Sequence, residues 1–466
     1  MVRTRTTWRA GASAALLSTI AILAFAPAPA SAADPMCQLD PTPPEETDRI
    51  KPRELDGQPF NVLLPVGYEG SDRRYPVLYL FHPRGYSENS WLARTDLETF
   101  TEKLNPGQAA IVVMPAAGPD DWHLDYFDRS QLWETYHLKR LIPHVDASFR
   151  TLPDRAQRAV AGFSLGGHGA MHYAVRRPDL FAASGCFSGL VHLTYPEAAY
   201  TPGEVDDRSG AGSPEPPRGP SPEPAYDPPS PSCGGGDDAL GNRISDAWSW
   251  HNHNPTDLTP NLRPLSLYVS AGNGVPCVPG EAEDVPPPLL ASTEPGIRDM
   301  AERFSAALTA EGIGHRFDRF ECGLHSFPTA QRGLHAFWDQ MVDAFGTPPP
   351  NRFDFRSMDS DFSLWAWTFR ADARRAPEFL EVRGASPEGF DLIGSGTATV
   401  VTAPMFKPRR PVRVTGALPK KARPDASGRI TVAVDLGSPA TEPQFALGEQ
   451  DRQLVKRRVR FNPFGR

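Results

Sequence analysis

A serine flanked by glycines at fixed spacing is the feature of this chain that most directly suggests chemistry. Val160-Ala161-Gly162-Phe163-Ser164-Leu165-Gly166-Gly167-His168-Gly169 runs from a short apolar stretch into a glycine-rich helix start. A strand that turns sharply into a helix forces its apex residue into strained dihedrals, and small neighbours such as Gly162 and Gly166 leave room for the turn. Ser164 at the apex is expected to project its hydroxyl away from the backbone, with the Leu165 N–H directed into the same space. A serine hydroxyl is a poor nucleophile until a base removes its proton, and that base needs a carboxylate to hold its tautomer. The chemistry implied is attack on an acyl carbon, which also requires two N–H donors for the developing oxyanion.

The elements that must hold such groups follow from hydrophobic periodicity. Strand-like runs occur at Phe60–Leu64, Pro76–His82, Ala109–Met114, Ala159–Phe163, Phe181–Phe187, Leu265–Val269 and Arg316–Glu321. Helical patterns lie near Leu92–Lys103, Trp133–Val145, Gly167–Arg176, Gly296–Glu311 and Ala330–Phe345. This alternation predicts an α/β domain over residues 55–346, a parallel sheet with helices on both faces. Residues 33–54 read as a Pro-rich leader. Residues 201–241, dense in Pro, Gly, Ser and Asp, cannot bury apolar surface and read as a disordered or lid insertion. Beyond Gly346–Arg352, short apolar runs at Phe362–Phe369, Phe379–Val382, Thr397–Thr402, Val412–Val414 and Ile430–Val434 predict a small all-β, sandwich-like domain over residues 347–466. Trp365 and Trp367 alternate with Phe369 on one predicted strand and are read as its core rather than as a sugar-stacking platform.

Arg3, Arg5 and Arg9 precede the apolar stretch Ala14–Phe25 and the small-residue site Ala30-Ser31-Ala32, so residues 1–32 read as a cleavable signal peptide and the protein as secreted. The stretch is too short for a comfortable span, and no integral membrane segment is expected. The formal charge of −8, which becomes more negative on loss of those three arginines, argues against nucleic acid or anionic membrane as partners. Lys456-Arg457-Arg458 is read as a solvated strand end rather than a binding patch. Of five cysteines, Cys277 and Cys322 both fall in loops after predicted strands and are the expected bridge. His251-Asn252-His253 lacks a third ligand nearby, and no metal or other cofactor is expected.

The glycine-flanked turn, Ala271-Gly272-Asn273-Gly274-Val275-Pro276, the loop Gly323-Leu324-His325-Ser326-Phe327, Trp133-Glu134-Thr135 and Met114-Pro115 together resemble the esterase D and mycolyltransferase group of α/β-hydrolases, over residues 55–345. In that fold the partners follow in the order serine, acid, histidine, with the histidine in the loop after the last strand. His325 fits; His168 on the turn's helix, His315 before the strand and His335 in the final helix read as structural. The residues alone leave the acid open among Glu281, Glu283, Asp284, Glu294 and Asp299, and Glu281 to Asp284 sit in a Pro-rich loop that reads as solvated. The resemblance implies Glu294, at the start of the helix before the last strand, with Glu283 or Asp284 in reserve.

The oxyanion donors expected are Leu165 N–H and a residue of Phe81-His82-Pro83-Arg84-Gly85. Pro83 has no N–H where relatives commonly carry glycine, so Arg84 is preferred and Gly85 comes second. Asp120-Asp121-Trp122-His123 reads equally as a capped loop or a pocket lining. These residues and the resemblance imply a secreted serine esterase acting through an acyl-enzyme on a small-molecule, lipid or sugar ester. The alternatives are an acyltransferase to a sugar or glycerol hydroxyl, and a non-catalytic carbohydrate- or surface-binding protein that has kept the fold.

Overall fold

Strict alternation of large apolar side chains along a central strand shows why an apolar core lies on each face of the eight-stranded sheet. The computed structural model describes residues 43–117, 122–129, 131–194, 237–285, 293–446, 452 and 454–463. The expected signal peptide, Cys37, Asp120, Asp121, Cys233 and all but the last five residues of the 201–241 insertion lie outside them. In chain order the elements are β1 (Ile50–Leu55), β2 (Gln58–Leu63), β3 (Val77–Phe81), α1 (Ser90–Arg94), α2 (Leu97–Glu102), β4 (Ile111–Pro115), α3 (Trp133–Tyr136), α4 (Ile142–Ser148), β5 (Arg158–Phe163), α5 (Leu165–Arg176), β6 (Ala183–Phe187), α6 (Asp237–Leu240), α7 (Ala247–His253), β7 (Ser266–Ala271), α8 (Thr293–Ala310), β8 (Arg316–Arg319) and α9 (Phe327–Ala344). Along β3, Val77, Tyr79 and Phe81 enter a core shared with Leu141, Tyr173 and Phe304. Leu78 and Leu80 enter the opposite one, with Trp91, Leu97, Phe337 and Trp338. Period-two alternation on a sheet covered on both sides requires this division.

The sheet order is β1-β2-β4-β3-β5-β6-β7-β8. From β4 to β8 neighbours are parallel, but β1–β2 and β2–β4 are antiparallel, so the sheet is mixed rather than wholly parallel. β1 also falls within the stretch expected to be a leader. Its Pro52 misled the sequence reading, but on an edge strand a missing N–H costs no ladder bond. The single helix expected over Trp133–Val145 is α3 and α4 joined by a π-helical turn, His137–Leu141.

The C-terminal region contains β9 (Phe353–Ser357), β10 (Asp361–Leu364), β11 (Trp367–Arg370), β12 (Leu380–Ser386), β13 (Gly389–Gly394), β14 (Thr397–Val401), β15 (Val412–Thr415), β16 (Lys421–Ala422), β17 (Thr431–Asp435) and β18 (Val455–Pro463). They form two antiparallel sheets, β10-β11-β14-β17 and β16-β15-β18-β13-β12-β9. Trp367, Phe369, Val400 and Val434 of the first sheet share one core with Val382, Leu392, Val414 and Phe461 of the second. The predicted strand Phe362–Phe369 is instead a hairpin. Trp365 and Ala366 form its turn with φ of 50° and 64°, so Trp365 is only half-buried and packs against the core from outside, while Trp367 lies within it. Such turns are normally signalled by Asn or Gly, neither of which is present here.

The C-terminal strands meet the α/β portion through apolar and polar contacts, Met358 and Phe379 lying in the same core as Leu258, Leu262 and Tyr173. Asn261 exchanges hydrogen bonds with the Arg356 backbone, Asn252 bonds Asp359 and the Met358 N–H, and Arg176 pairs with Asp359 at 2.7 Å. His251, from the motif considered for metal binding, pairs with Asp257 and stacks on Phe445, and His253 bonds the Ser249 carbonyl.

Acid is expected to destabilise the α/β domain. Burial pushes His137 down to about 4 and His168 down to about 3. His137 bonds Tyr173 Oη at 2.8 Å and the Ala116 carbonyl at 2.9 Å. Both groups are neutral when folded and titrate near 6.5 when unfolded, so their contribution is complete above pH 6.5 and is lost as pH falls toward the folded values. For His137 alone the loss is about 2 kcal/mol by pH 5. Denaturant titrations at pH 7.5 and 5 should show it, with a shallower fall for His137→Gln.

Candidate active site

Ser164 sits between β5 and α5 with φ 57° and ψ −121°, a conformation reserved for tight, strained turns. The turn is possible only because its neighbours lack side chains. A Cβ on Gly162 would lie 2.3 Å from the Gly166 carbonyl oxygen, and one on Gly166 would lie 2.5 Å from the His82 carbonyl oxygen. The Ser164 N–H is held by the Phe187 carbonyl of β6 at 3.0 Å, which fixes the apex at the end of the parallel strands.

His325 lies in the loop between β8 and α9, with Ser326 as the N-cap of α9. Its Nε2 is 2.8 Å from Ser164 Oγ, and its Nδ1 is 2.8 Å from Glu294 Oε2. Glu294 is in the first turn of α8 and only 2% exposed. Its other oxygen accepts from Ser188 Oγ at 2.6 Å and from the Gly272 N–H at 2.5 Å. All three side chains are therefore brought together on an unbroken path of hydrogen bonds. Glu283 is exposed, Asp299 pairs with Arg303, and neither is bonded to His325; the Asp284 side chain is not among those described.

Glu281 was read as part of a solvated loop, yet it is 2% exposed. Oε1 accepts from the Leu324 N–H at 2.8 Å, Ser326 Oγ at 2.8 Å and Thr329 Oγ1 at 2.9 Å, and Oε2 from the Cys277 N–H at 2.5 Å. Burial alone would raise its carboxyl, but these donors outweigh burial and hold it below the usual carboxylate range. The Cys277–Cys322 disulfide ties the same two loops, and the Gly274 N–H bonds the Gly323 carbonyl beside it. Only the cap pattern at Ser326 hinted at an acceptor here; nothing local to residue 281 did. Glu281→Gln keeps the size but loses the charge that binds four donors. We expect kcat for a soluble ester to fall about tenfold, the scale of one charge-assisted hydrogen bond, with KM unchanged. Steady-state kinetics on the folded variant is the check.

The loop after β3 abuts the serine turn at Gly166, as the His82 carbonyl contact shows. Within it the Tyr86 N–H closes a turn onto the Pro83 carbonyl at 3.3 Å, with Gly85 at φ 78°. Trp122 and His123 are buried; the ring of His123 meets Gly169 of α5 and bonds the His82 carbonyl at 3.2 Å. His168 bonds the Leu190 carbonyl, His315 bonds Ser305 Oγ, and His335 stacks on Phe100, so each has a partner away from Ser164. The free thiol of Cys186 is buried, which pushes it up to about 12 and leaves it a poor nucleophile.

Comparison with known proteins relates the sequence of this chain to esterases. The chain is 41% identical to Esterase Rv1288 of Mycobacterium tuberculosis (strain ATCC 25618 / H37Rv) over 140 residues, 28% of this chain and 29% of that protein. It is 33% identical to an endo-1,4-beta-xylanase/feruloyl esterase of Xylanibacter ruminicola over 159 residues, 32% of this chain and 21% of that protein. The matches thus span less than a third of these relatives. Among solved structures, a ferulic acid esterase aligns at 23% identity with a TM-score of 0.44, covering 62% of this chain and 93% of its own. The MPT51 protein of Mycobacterium tuberculosis aligns at 18% identity with a TM-score of 0.44 and the same coverages. The family described as "Putative esterase" matches residues 56–340, well over half of the chain, and the chain belongs to that esterase family.

Proposed function

We propose that the chain is a secreted serine esterase of the α/β-hydrolase type, acting on carboxylic esters through an acyl-enzyme. The observation that carries this reading is the bonded path Ser164–His325–Glu294 at 2.8 Å for both links to the histidine. Ser164 Oγ attacks the ester carbon while His325 Nε2 takes its proton, and Glu294 holds the Nδ1 proton and stabilises the imidazolium. The N–H groups of Leu165 and Arg84 receive the tetrahedral oxyanion. On collapse the carbon–alkoxide bond breaks, and the alcohol departs with the proton from His325. Water then gives its proton to His325, attacks the acyl-serine and releases the acid, restoring Ser164.

The test is a pre-steady-state burst with p-nitrophenyl acetate, followed by mass analysis of the peptide containing Ser164. One nitrophenol per protein and an acetyl group on Ser164 are expected. No burst and no label would overturn the reading in favour of a non-catalytic protein that has kept the fold. Repeating the turnover with glycerol present separates hydrolysis from acyl transfer, because transfer would convert the acyl-enzyme to acetylglycerol instead of acetate.

A further inference from the structure

Three neighbouring parallel strands end side by side at the triad. Register aligns Phe163 of β5 with Phe187 of β6, and Phe187 with Ser270 of β7. The residues that follow these strands are Ser164 after β5, Ser188 after β6 and Gly272 after β7. Among the described residues, Ser164 and Ser188 are the two non-glycine residues of positive φ that directly follow a parallel strand, at 57° and 47°. Glycine adopts that region without strain, so a serine held there needs a reason outside the backbone. For Ser164 the reason is the nucleophile. For Ser188 the backbone supplies none, because glycine would make its N–H bond to the Ser270 carbonyl, 2.8 Å, equally well. The next residue is glycine where space demands it: a Cβ on Gly189 would lie 2.4 Å from Cys186 Sγ.

The side chain of Ser188 supplies the reason. It is buried, and its Oγ donates to Glu294 Oε1 at 2.6 Å, alongside the Gly272 N–H at 2.5 Å. Among the described residues Glu294 has no lysine or arginine in ion-pair range, its charged partner being His325. The last torsion of a glutamate is soft and roughly twofold, so the plane of its carboxylate has to be set from outside. One donor on Oε1 would leave that plane free to swing. Two donors, from the ends of adjacent strands, fix it and aim Oε2 at His325 Nδ1, 2.8 Å away.

We propose that Ser188 is a positioning residue of the esterase reaction, its hydroxyl setting the carboxylate plane of Glu294 and thereby the aim and tautomer of His325. The strained backbone is kept because it places a hydroxyl at that point. This role rests on the serine-esterase reading above and adds to it a group that acts only through Glu294.

Steady-state kinetics with p-nitrophenyl acetate on Ser188→Ala and Ser188→Gly, with denaturant titration of both, is the test. Each variant should lose about tenfold in kcat, the scale of one charge-assisted hydrogen bond, with KM unchanged. Ser188→Gly should nevertheless have the higher denaturation midpoint, because it relieves the positive φ that alanine keeps. A purely structural serine predicts otherwise: the more stable glycine variant would keep its activity. In the Glu294→Gln background, adding Ser188→Ala should cost less than about twofold further, because the carboxylate it aligned is already gone. A structural defect would cost the same factor in both backgrounds. Wild-type kcat in either single variant, or a full tenfold loss on top of Glu294→Gln, would overturn the proposal. A wild type with neither turnover nor an acyl label on Ser164 would overturn the esterase reading itself, and this role with it.

Discussion

Ser164→Ala is expected to lower kcat for a short-chain chromogenic ester by about a millionfold, the scale seen when a serine nucleophile is removed from such a triad. KM should change little, because the hydroxyl takes part in bond formation more than in holding the substrate. His325→Ala should cost nearly as much. The double variant should be scarcely worse than either single one, because the two side chains act as one unit through their 2.8 Å bond. The same site predicts a trade between activity and stability. Ser164 is held at φ 57° and ψ −121°, a region natural to glycine, so Ser164→Gly should be inactive yet more stable by about 1 kcal/mol. Turnover and denaturant titration of the two variants provide the check, and an active Ser164→Ala would remove the nucleophile from the mechanism.

Glu294→Gln is expected to lower kcat by about ten-thousandfold while leaving the fold intact. Glutamine can still accept from the Ser188 hydroxyl and the Gly272 N–H through its carbonyl oxygen, so the frame around it survives. Its amide then presents N–H toward His325 Nδ1, where the carboxylate had accepted. That favours the tautomer with the proton on Nε2, which cannot receive the proton of Ser164. Glu294→Asp keeps the charge but shortens the reach, so it should recover part of the loss. Full activity in Glu294→Gln would place the acid elsewhere, while loss accompanied by unfolding would make Glu294 structural. Near-UV circular dichroism alongside kinetics separates the two.

What could be read along the chain was whatever depends on near neighbours. The turn at Gly162–Gly166 is a local steric requirement, and the structure shows the same requirement as Cβ clashes of 2.3 and 2.5 Å. His325 could be singled out because it follows a strand and precedes a helix capped by Ser326. Glu294 needed the family resemblance, since its contact to His325 spans 31 residues and several carboxylates lay nearby in the chain. Pro52 and the Trp365-Ala366 turn misled because each obeys an exception. An edge strand tolerates proline, and a hairpin turn can be built without glycine.

The sequence by itself determined the alternation of strands and helices, the strained serine and the all-β character of the last hundred or so residues. Periodicity and steric demand act over a few residues and are written where they act. Only the tertiary structure decided which groups meet. Glu281, 43 residues from Leu324, becomes the buried acceptor that holds the histidine loop. Arg383 and Arg458 meet Asp391 from either side because antiparallel register, not chain distance, sets them opposite it. Hydrogen bonds and charges act through space, so their partners are fixed by packing, and a linear reading sees the members without the meeting.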